Sequence, residues 1–297
     1  MLGRSLIVSA AIALIGLIGL WMLPKPEALL SVSARSHYVS YEVVDPNASI
    51  IQIQNAVLVQ RSSDPFSPKQ VSETCVSGEF IPELGSIVSY QSSREAGISV
   101  SVASAPESET IAHIKTSSDE SIQLGRFDVI NLSAARDECR SEFGSLPVWG
   151  PGEIGSVRTF GAAQDSTKEL LGGEVIIVAK AIEKLFFVIP GATGLYEAGR
   201  ITIPSGSQIR IDDGGWIGSV RLLEDNGSLL QVDLSTDNES VWMWRAGTST
   251  DAGAIPIGAS AFVRQTRDPG VIGLQIVLAM VLLVTQTVAA LAQTVRS

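Results

Sequence analysis

Hydrophobic and polar positions alternate along most of this chain but not at its ends. Leu6–Leu23 and Val271–Ala292 are apolar and uncharged over about the ~20 residues that a helix needs to cross a hydrocarbon core. They predict two terminal transmembrane helices. The first follows a single Arg4 and is longer than the apolar core of a cleaved signal peptide, so residues 1–23 are expected to be a retained signal anchor. Cleavage after Ala34, in Val32-Ser33-Ala34, is the rival reading. Residues 266–297 are expected to form the second span, with only Thr294–Ser297 beyond it and hence no cytoplasmic module.

Between the ends the pattern changes to short apolar runs punctuated by Gly, Pro, Asn and Asp. Residues 24–37, with Pro24 and Pro26, read as a linker. Strands are predicted at Tyr38–Val44, Ile50–Val59, Ser86–Tyr90 and Ile98–Val102; in the last, Ile98, Val100 and Val102 alternate with Ser99 and Ser101. Ser62–Gly85, with three prolines, reads as a long loop, and Ala105–Glu109 as an exposed connection. A short helix is expected at Ala134–Phe143, and a second is expected to begin at Ser166 on its capping-box spacing to Glu169. Further strands follow at Val175–Ala181, Leu185–Ile189, Arg200–Ile203, Gln208–Asp212, Trp216–Glu224, Ser228–Leu234, Ser240–Arg245 and Ser260–Gln265. The turns between them include Asp213-Gly214-Gly215 and a hairpin at Asn226-Gly227.

The fold class expected is therefore membrane-anchored and mainly β, with two terminal helices bracketing an antiparallel barrel or sandwich. Pro147–Gly155, rich in Gly and Pro, divides it into a β-rich subdomain with one short helix at 38–146 and a β-meander at 147–265.

Charge narrows the partners. All 31 acids and all but two of the 21 Lys and Arg lie between the spans, in a chain whose formal net charge is −10. No basic stripe interrupts this surface, so a nucleic-acid partner is not expected. Lys25, Arg35, Arg264 and Arg267 flank the middle domain, which by the positive-inside rule favours a cytoplasmic domain. Long domains translocate largely regardless of such counts. The signal-like start, the two cysteines and the sequons favour an exoplasmic or periplasmic domain on a bacterial inner membrane. Four of the five asparagines, Asn47, Asn131, Asn226 and Asn238, stand in Asn-x-Ser sequons.

Both spans carry marks of helix pairing. Ser9, Ala13 and Gly16 share a face that permits close backbone approach. Gln275, Gln286 and Gln293 are eleven and seven residues apart, so at 3.6 residues per turn they return to nearly one face. Amides in hydrocarbon need a partner, which points them at another helix; water at the two interfaces is the alternative for Gln275 and Gln293.

Cys75 and Cys139 are the only cysteines and predict one disulfide. Trp242 and Trp244 stand two apart and so share a strand face; with Trp216 they form a candidate ligand or partner surface, or else core. No catalytic, cofactor-binding or metal-binding residues are assigned. No Gly-x-Ser-x-Gly elbow, His-Glu-x-x-His or calcium loop occurs, and the only histidines are His37 and His113. Glu224, Asp225, Asp233, Asp237 and Glu239 gather near hairpin ends as acids that face water or hold calcium. The expectation is a non-enzymatic scaffold or interaction subunit of an envelope or membrane complex, partnered by the membrane and other membrane proteins. The alternatives are a polysaccharide- or ligand-binding module and a membrane-anchored hydrolase using His113 as base.

Overall fold

In a computed structural model the described residues are 27–61, 71–93, 97–103, 111–117, 120–125, 128–132, 139, 141, 143–156, 169–181, 194–223, 229–238, 241–246 and 253–294. The chain is mostly antiparallel β-sheet with one long apolar helix near its C-terminus. The predicted span Leu6–Leu23, the connection Ala105–Glu109 and the strand Leu185–Ile189 lie outside the described residues.

Nine strands occupy the first half: β1 (Ala28–Ser36), β2 (Tyr38–Glu42), β3 (Ile51–Arg61), β4 (Val71–Pro82), β5 (Ile87–Ser93), β6 (Gly97–Ala103), β7 (Ala112–Thr116), β8 (Ser121–Leu124) and β9 (Val129–Leu132). Seven follow: β10 (Leu146–Ile154), β11 (Leu170–Lys180), β12 (Leu195–Ile203), β13 (Gln208–Leu223), β14 (Leu229–Thr236), β15 (Val241–Trp244) and β16 (Ala254–Ile257). Helices α1 (Ala261–Arg267) and α2 (Pro269–Thr294) complete the described chain. Two compact units result: a larger one of Leu30–Val175 with Ile201–Ile257, and a smaller one of Met1–Leu29, Ile176–Arg200 and Gly258–Ser297.

In the larger unit the strand order is β11-β1-β14-β13-β10-β2-β5-β6-β9-β3-β4-β7-β8, and β15 and β16 branch from β13. β1 and β2 are one run of chain interrupted at His37. Because β1 pairs with β14, β14 with β13, β13 with β10 and β10 with β2, the pairings form a closed circuit through that residue. Alternation sets the two faces. Leu30, Val32 and Ala34 of β1, Leu230, Val232 and Leu234 of β14, and Ile98, Val100 and Val102 of β6 all point inward and are buried.

At the centre, Tyr41 and Tyr90 pack with ring centroids 5.9 Å apart and hydroxyls 3.2 Å apart, and Tyr90 Oη donates to the Pro147 carbonyl at 2.6 Å. Burial pushes both phenols above their ordinary pKa, Tyr90 furthest. A second, small cluster of Val57, Val59, Cys139 and Val129 lies on the opposite face of β3 and β9.

Several expectations need correction. The segment read as a linker contains β1: Leu30, Val32 and Ala34 alternate with Ser31, Ser33 and Arg35 as in β6, and the two prolines that suggested a linker, Pro24 and Pro26, precede the strand. Val71–Pro82, read as loop, is β4: only its last residue is a proline, and Val76 and Phe80 are buried. Pro147–Gly155, read as the join between subdomains, lies within strand β10 up to Ile154, and Pro151 is tolerated because it falls where the ladder with β13 breaks.

The Asp213-Gly214-Gly215 turn is instead a bulge inside β13. Gly150 pairs with Trp216 and Gly152 with Ile211, so Pro151 faces four residues, Asp212–Gly215. Gly214 and Gly215 take φ of 76° and 82°, and a Cβ on Gly215 would lie 2.6 Å from the Gly150 carbonyl carbon. The strand predicted at Ser260–Gln265 is helix α1, started by Ser260, whose Oγ accepts from Val263 N–H at 3.2 Å. Most of the helix expected at Ala134–Phe143 lies outside the described residues; Cys139, Ser141 and Phe143 are not helical.

Candidate functional site

Helix α2 carries the longest run of exposed apolar side chains among the described residues. Pro269–Val288 has mean hydropathy 2.2 and is long and apolar enough to cross a membrane. Its large apolar side chains, among them Met280, Leu283, Val284 and Val288, are exposed rather than packed on the protein. Two kinds of polar group interrupt it. Thr285 and Thr287 return their hydroxyls to the carbonyls of Leu282 and Leu283 at 2.8 and 2.7 Å, which satisfies them within the helix. Gln275 and Gln286 have no such return: both are exposed and neither has a hydrogen-bond partner among the described residues. Gln293 stands in the last turn of α2 with its side chain outside the described residues, as are Ser9, Ala13 and Gly16 altogether.

The base of α2 is built differently. Asp268, alone between α1 and α2, is buried, and its Oδ1 accepts from the N–H groups of Gly270 at 2.7 Å and Val271 at 3.3 Å. Those are orphan donors of the helix start, so the carboxylate caps it. Tyr196 Oη donates to the Arg264 carbonyl at 2.6 Å, and Arg267 donates to the Ala198 carbonyl at 3.0 Å. The Tyr196 phenol is pushed up to about 12, first by burial and then by the charge of Asp268, against which Arg264 acts. Within the smaller unit, α1 is thus fastened to β12.

The three candidate tryptophans separate. Trp216 is 1% exposed, and its Nε1 donates to the Gly152 carbonyl at 3.3 Å. Val241 and Met243 of β15 point inward, leaving Trp242 and Trp244 half-buried on the outer face opposite Arg210 and Gln208 of β13. Pro256 and Ala254 of β16 flank the two rings on the other side. Sequence reasoning missed a fourth ring: Trp149 of β10 is 38% exposed and stands opposite the exposed Ile217. Its signal was the Pro-Val-Trp-Gly-Pro context, which reads as a turn.

On the same outer face β1, β14 and β13 carry a joined polar network. Asp233 accepts from Ser33 Oγ at 2.8 Å, Gln231 Nε2 at 3.1 Å and Arg221 Nη2 at 2.9 Å, while Gln231 also donates to Ser33 at 3.0 Å. Partial burial alone raises the Asp233 carboxyl, but the three donors outweigh it and hold the pKa below its ordinary value. Beside the network is an open groove of about 600 Å³, lined by Arg35, Gln231, Leu171, Gly172, Gly173 and Thr202 among others.

The remaining candidates are placed as follows. Cys75 and Cys139 form the expected pair, with Cα atoms 5.7 Å apart; Cys75 lies on β4, not in a loop. His37 Nδ1 is 2.8 Å from Ser92 Oγ at the β1–β2 junction. His113 lies in β7 between Ile81 and Gln123, with no hydrogen-bonded serine or carboxylate among the described residues. Of the acids near hairpin ends, Asp233 is taken up by the network and Asp237 follows the end of β14; Glu224, Asp225 and Glu239 lie outside the described residues. No group of metal-ligating side chains occurs among the described residues. Asn131 is half-buried in β9 and accepts from Ser99 at 2.8 Å, whereas Asn47 lies in a short helical turn. No protein-family model, no curated protein and no solved structure matches this chain.

Proposed function

We propose that this chain is a membrane-anchored interaction subunit, non-enzymatic, whose terminal spans pack with other helices in a membrane or envelope complex. The observation that carries the reading is the contrast within α2 between threonines satisfied by their own backbone and Gln286 left with an exposed amide. Gln286 lies about 7 Å along the axis from the middle of Val271–Ala292, well inside a hydrocarbon core about 30 Å thick. At that depth water is scarce and an amide finds its partner on another helix, an interaction worth about 1–2 kcal/mol in model peptides. Gln275 and Gln293 fall on the same face.

The pairing of Cys75 with Cys139 supports an exoplasmic placement of the β domain, because disulfides persist in oxidising compartments. In this reading the N-terminal segment Leu6–Leu23 is a second span, and the domain between them presents its outer face to partner proteins.

The test is photocrosslinking in native membranes from Leu282, one turn from Gln286 on the same face. The reading expects a protein adduct of defined mass. Crosslinking to lipid alone contradicts it.

A second reading, an exoplasmic module for polysaccharide or another extended ligand, draws on the outward-facing Trp242, Trp244 and Trp149. Rings on an outer sheet face offer flat stacking surfaces. Quenching or enhancement of tryptophan fluorescence by envelope glycans supports it, and an unchanged spectrum at saturating glycan opposes it.

A further inference from the structure

We infer that helix α1 is a membrane foot, with Phe262 and Val263 lodged in the headgroup and outer acyl region of the bilayer that α2 enters. This rests on reading α2 as a span. Only Asp268 separates the two helices, and its carboxylate is committed to capping α2. Seven residues of chain lead from Phe262 to Pro269, about two helical turns, so α1 stays within the interfacial layer wherever α2 crosses it.

The orientation of α1 is fixed from inside the smaller unit. Arg264 is 4% exposed and its Nε donates to the Ala259 carbonyl at 2.9 Å. Arg267 is held by the Ala198 carbonyl, and the Arg264 carbonyl accepts from Tyr196. Arg264 is thereby drawn back onto the protein, and the first turn of the helix offers apolar side chains outward, Phe262 at 70% and Val263 at 36% exposed, with the exposed Thr266 and Arg267 in the turn that follows. An exposed cation beside exposed apolar side chains suits an interfacial layer, where the charge reaches the headgroups while the apolar groups enter the acyl boundary. An aromatic and a branched aliphatic side chain presented at the start of a span match the composition of interfacial segments. The bilayer is therefore the occupant that continuity with α2 selects for this face. The consequence is mechanical: the strand ends of the smaller unit are braced on the membrane surface instead of swinging on a flexible tether.

The experiment uses the full-length chain in phosphatidylcholine–phosphatidylglycerol vesicles with the Cys75–Cys139 bridge left oxidised. A nitroxide is attached in turn at Phe262→Cys, Val263→Cys and, within the span, Leu283→Cys, and its collisions with oxygen and with a water-soluble nickel complex are compared. The expected result is a several-fold excess of oxygen over nickel collisions at both α1 positions, smaller than that at Leu283. Nickel-dominated collisions at Phe262 and Val263 with lipid-like behaviour at Leu283 overturn the foot and leave the span reading standing. Protection from both reagents at the α1 positions means that a protein covers this face, and also overturns it. Water-like behaviour at Leu283 overturns the foot together with the span.

Discussion

Trp216 donates its indole N–H to the carbonyl of Gly152, and the two residues sit on either side of the bulge that bends β13 against β10. The four residues Asp212–Gly215 shift the inward parity of β13 from Ile209 and Ile211 to Trp216 and Val220. One tryptophan is thereby turned into the core while its neighbour in sequence, Ile217, is turned out. Trp216→Ala is expected to destabilise the larger unit by about 3–5 kcal/mol, as for other buried aromatic truncations. Trp242→Ala, on the outer face, is expected to cost about 1 kcal/mol. Urea unfolding of the two variants separates them, and equal losses would contradict the assignment of faces.

The tyrosine pair makes a second prediction. Tyr90→Phe leaves the Pro147 carbonyl without its donor and is expected to cost about 1–2 kcal/mol at neutral pH. The phenol's pKa lies above its ordinary value in the folded state, so the unfolded chain deprotonates first as pH rises past about 10. Stability is therefore present below that pH and falls above it, and Tyr90→Phe flattens the fall. Thermal unfolding between pH 8 and 11 reads both effects.

Asp233 behaves with the opposite sign. Its pKa is held below that of an unfolded aspartate, so its contribution is present above about pH 4 and is lost as pH falls through the folded value. The group is more than a third exposed, and after solvent screening the contribution is expected to be about a fraction of a kcal/mol. Asp233→Asn removes this acid-limb component, measurable as a smaller drop in denaturation midpoint between pH 6 and pH 3 than in the wild-type protein.

The cysteine pair closes a loop with a sequence separation of 64 residues. Replacing both cysteines by serine is expected to lower stability by about 4 kcal/mol on the chain-entropy estimate, and to release the small cluster around Val57, Val59 and Val129. Reductant should lower the melting temperature of the wild-type protein and leave the double variant unchanged.

Much of the β pattern was legible because alternation survives wherever the buried positions are branched or aromatic, as in β6 and β14. It was obscured where nearby prolines suggested a linker, as before β1, and where Gly and Pro mark a bulge rather than a turn, as in β10 and β13. Short periodic runs also fail to separate strand from helix: Ser260–Gln265 has only one turn's worth of pattern, and the decisive signal was the capping serine. Helix α2 was readable from its long, uncharged apolar run. The outward placement of Trp149 and the network around Asp233 were not, because they depend on which strands lie side by side.

The proposed pairing of α2 with another helix through its glutamine face rests most heavily on Gln286. Its most direct test compares the wild-type chain with Gln286→Leu after extraction in mild detergent, reading complex size and co-purifying membrane proteins. The expected result is a wild-type assembly larger than the single chain, and about a five- to thirty-fold weaker association when about 1–2 kcal/mol of interhelical hydrogen bonding is removed. A wild-type chain that runs alone, or a complex untouched by Gln286→Leu, would contradict it.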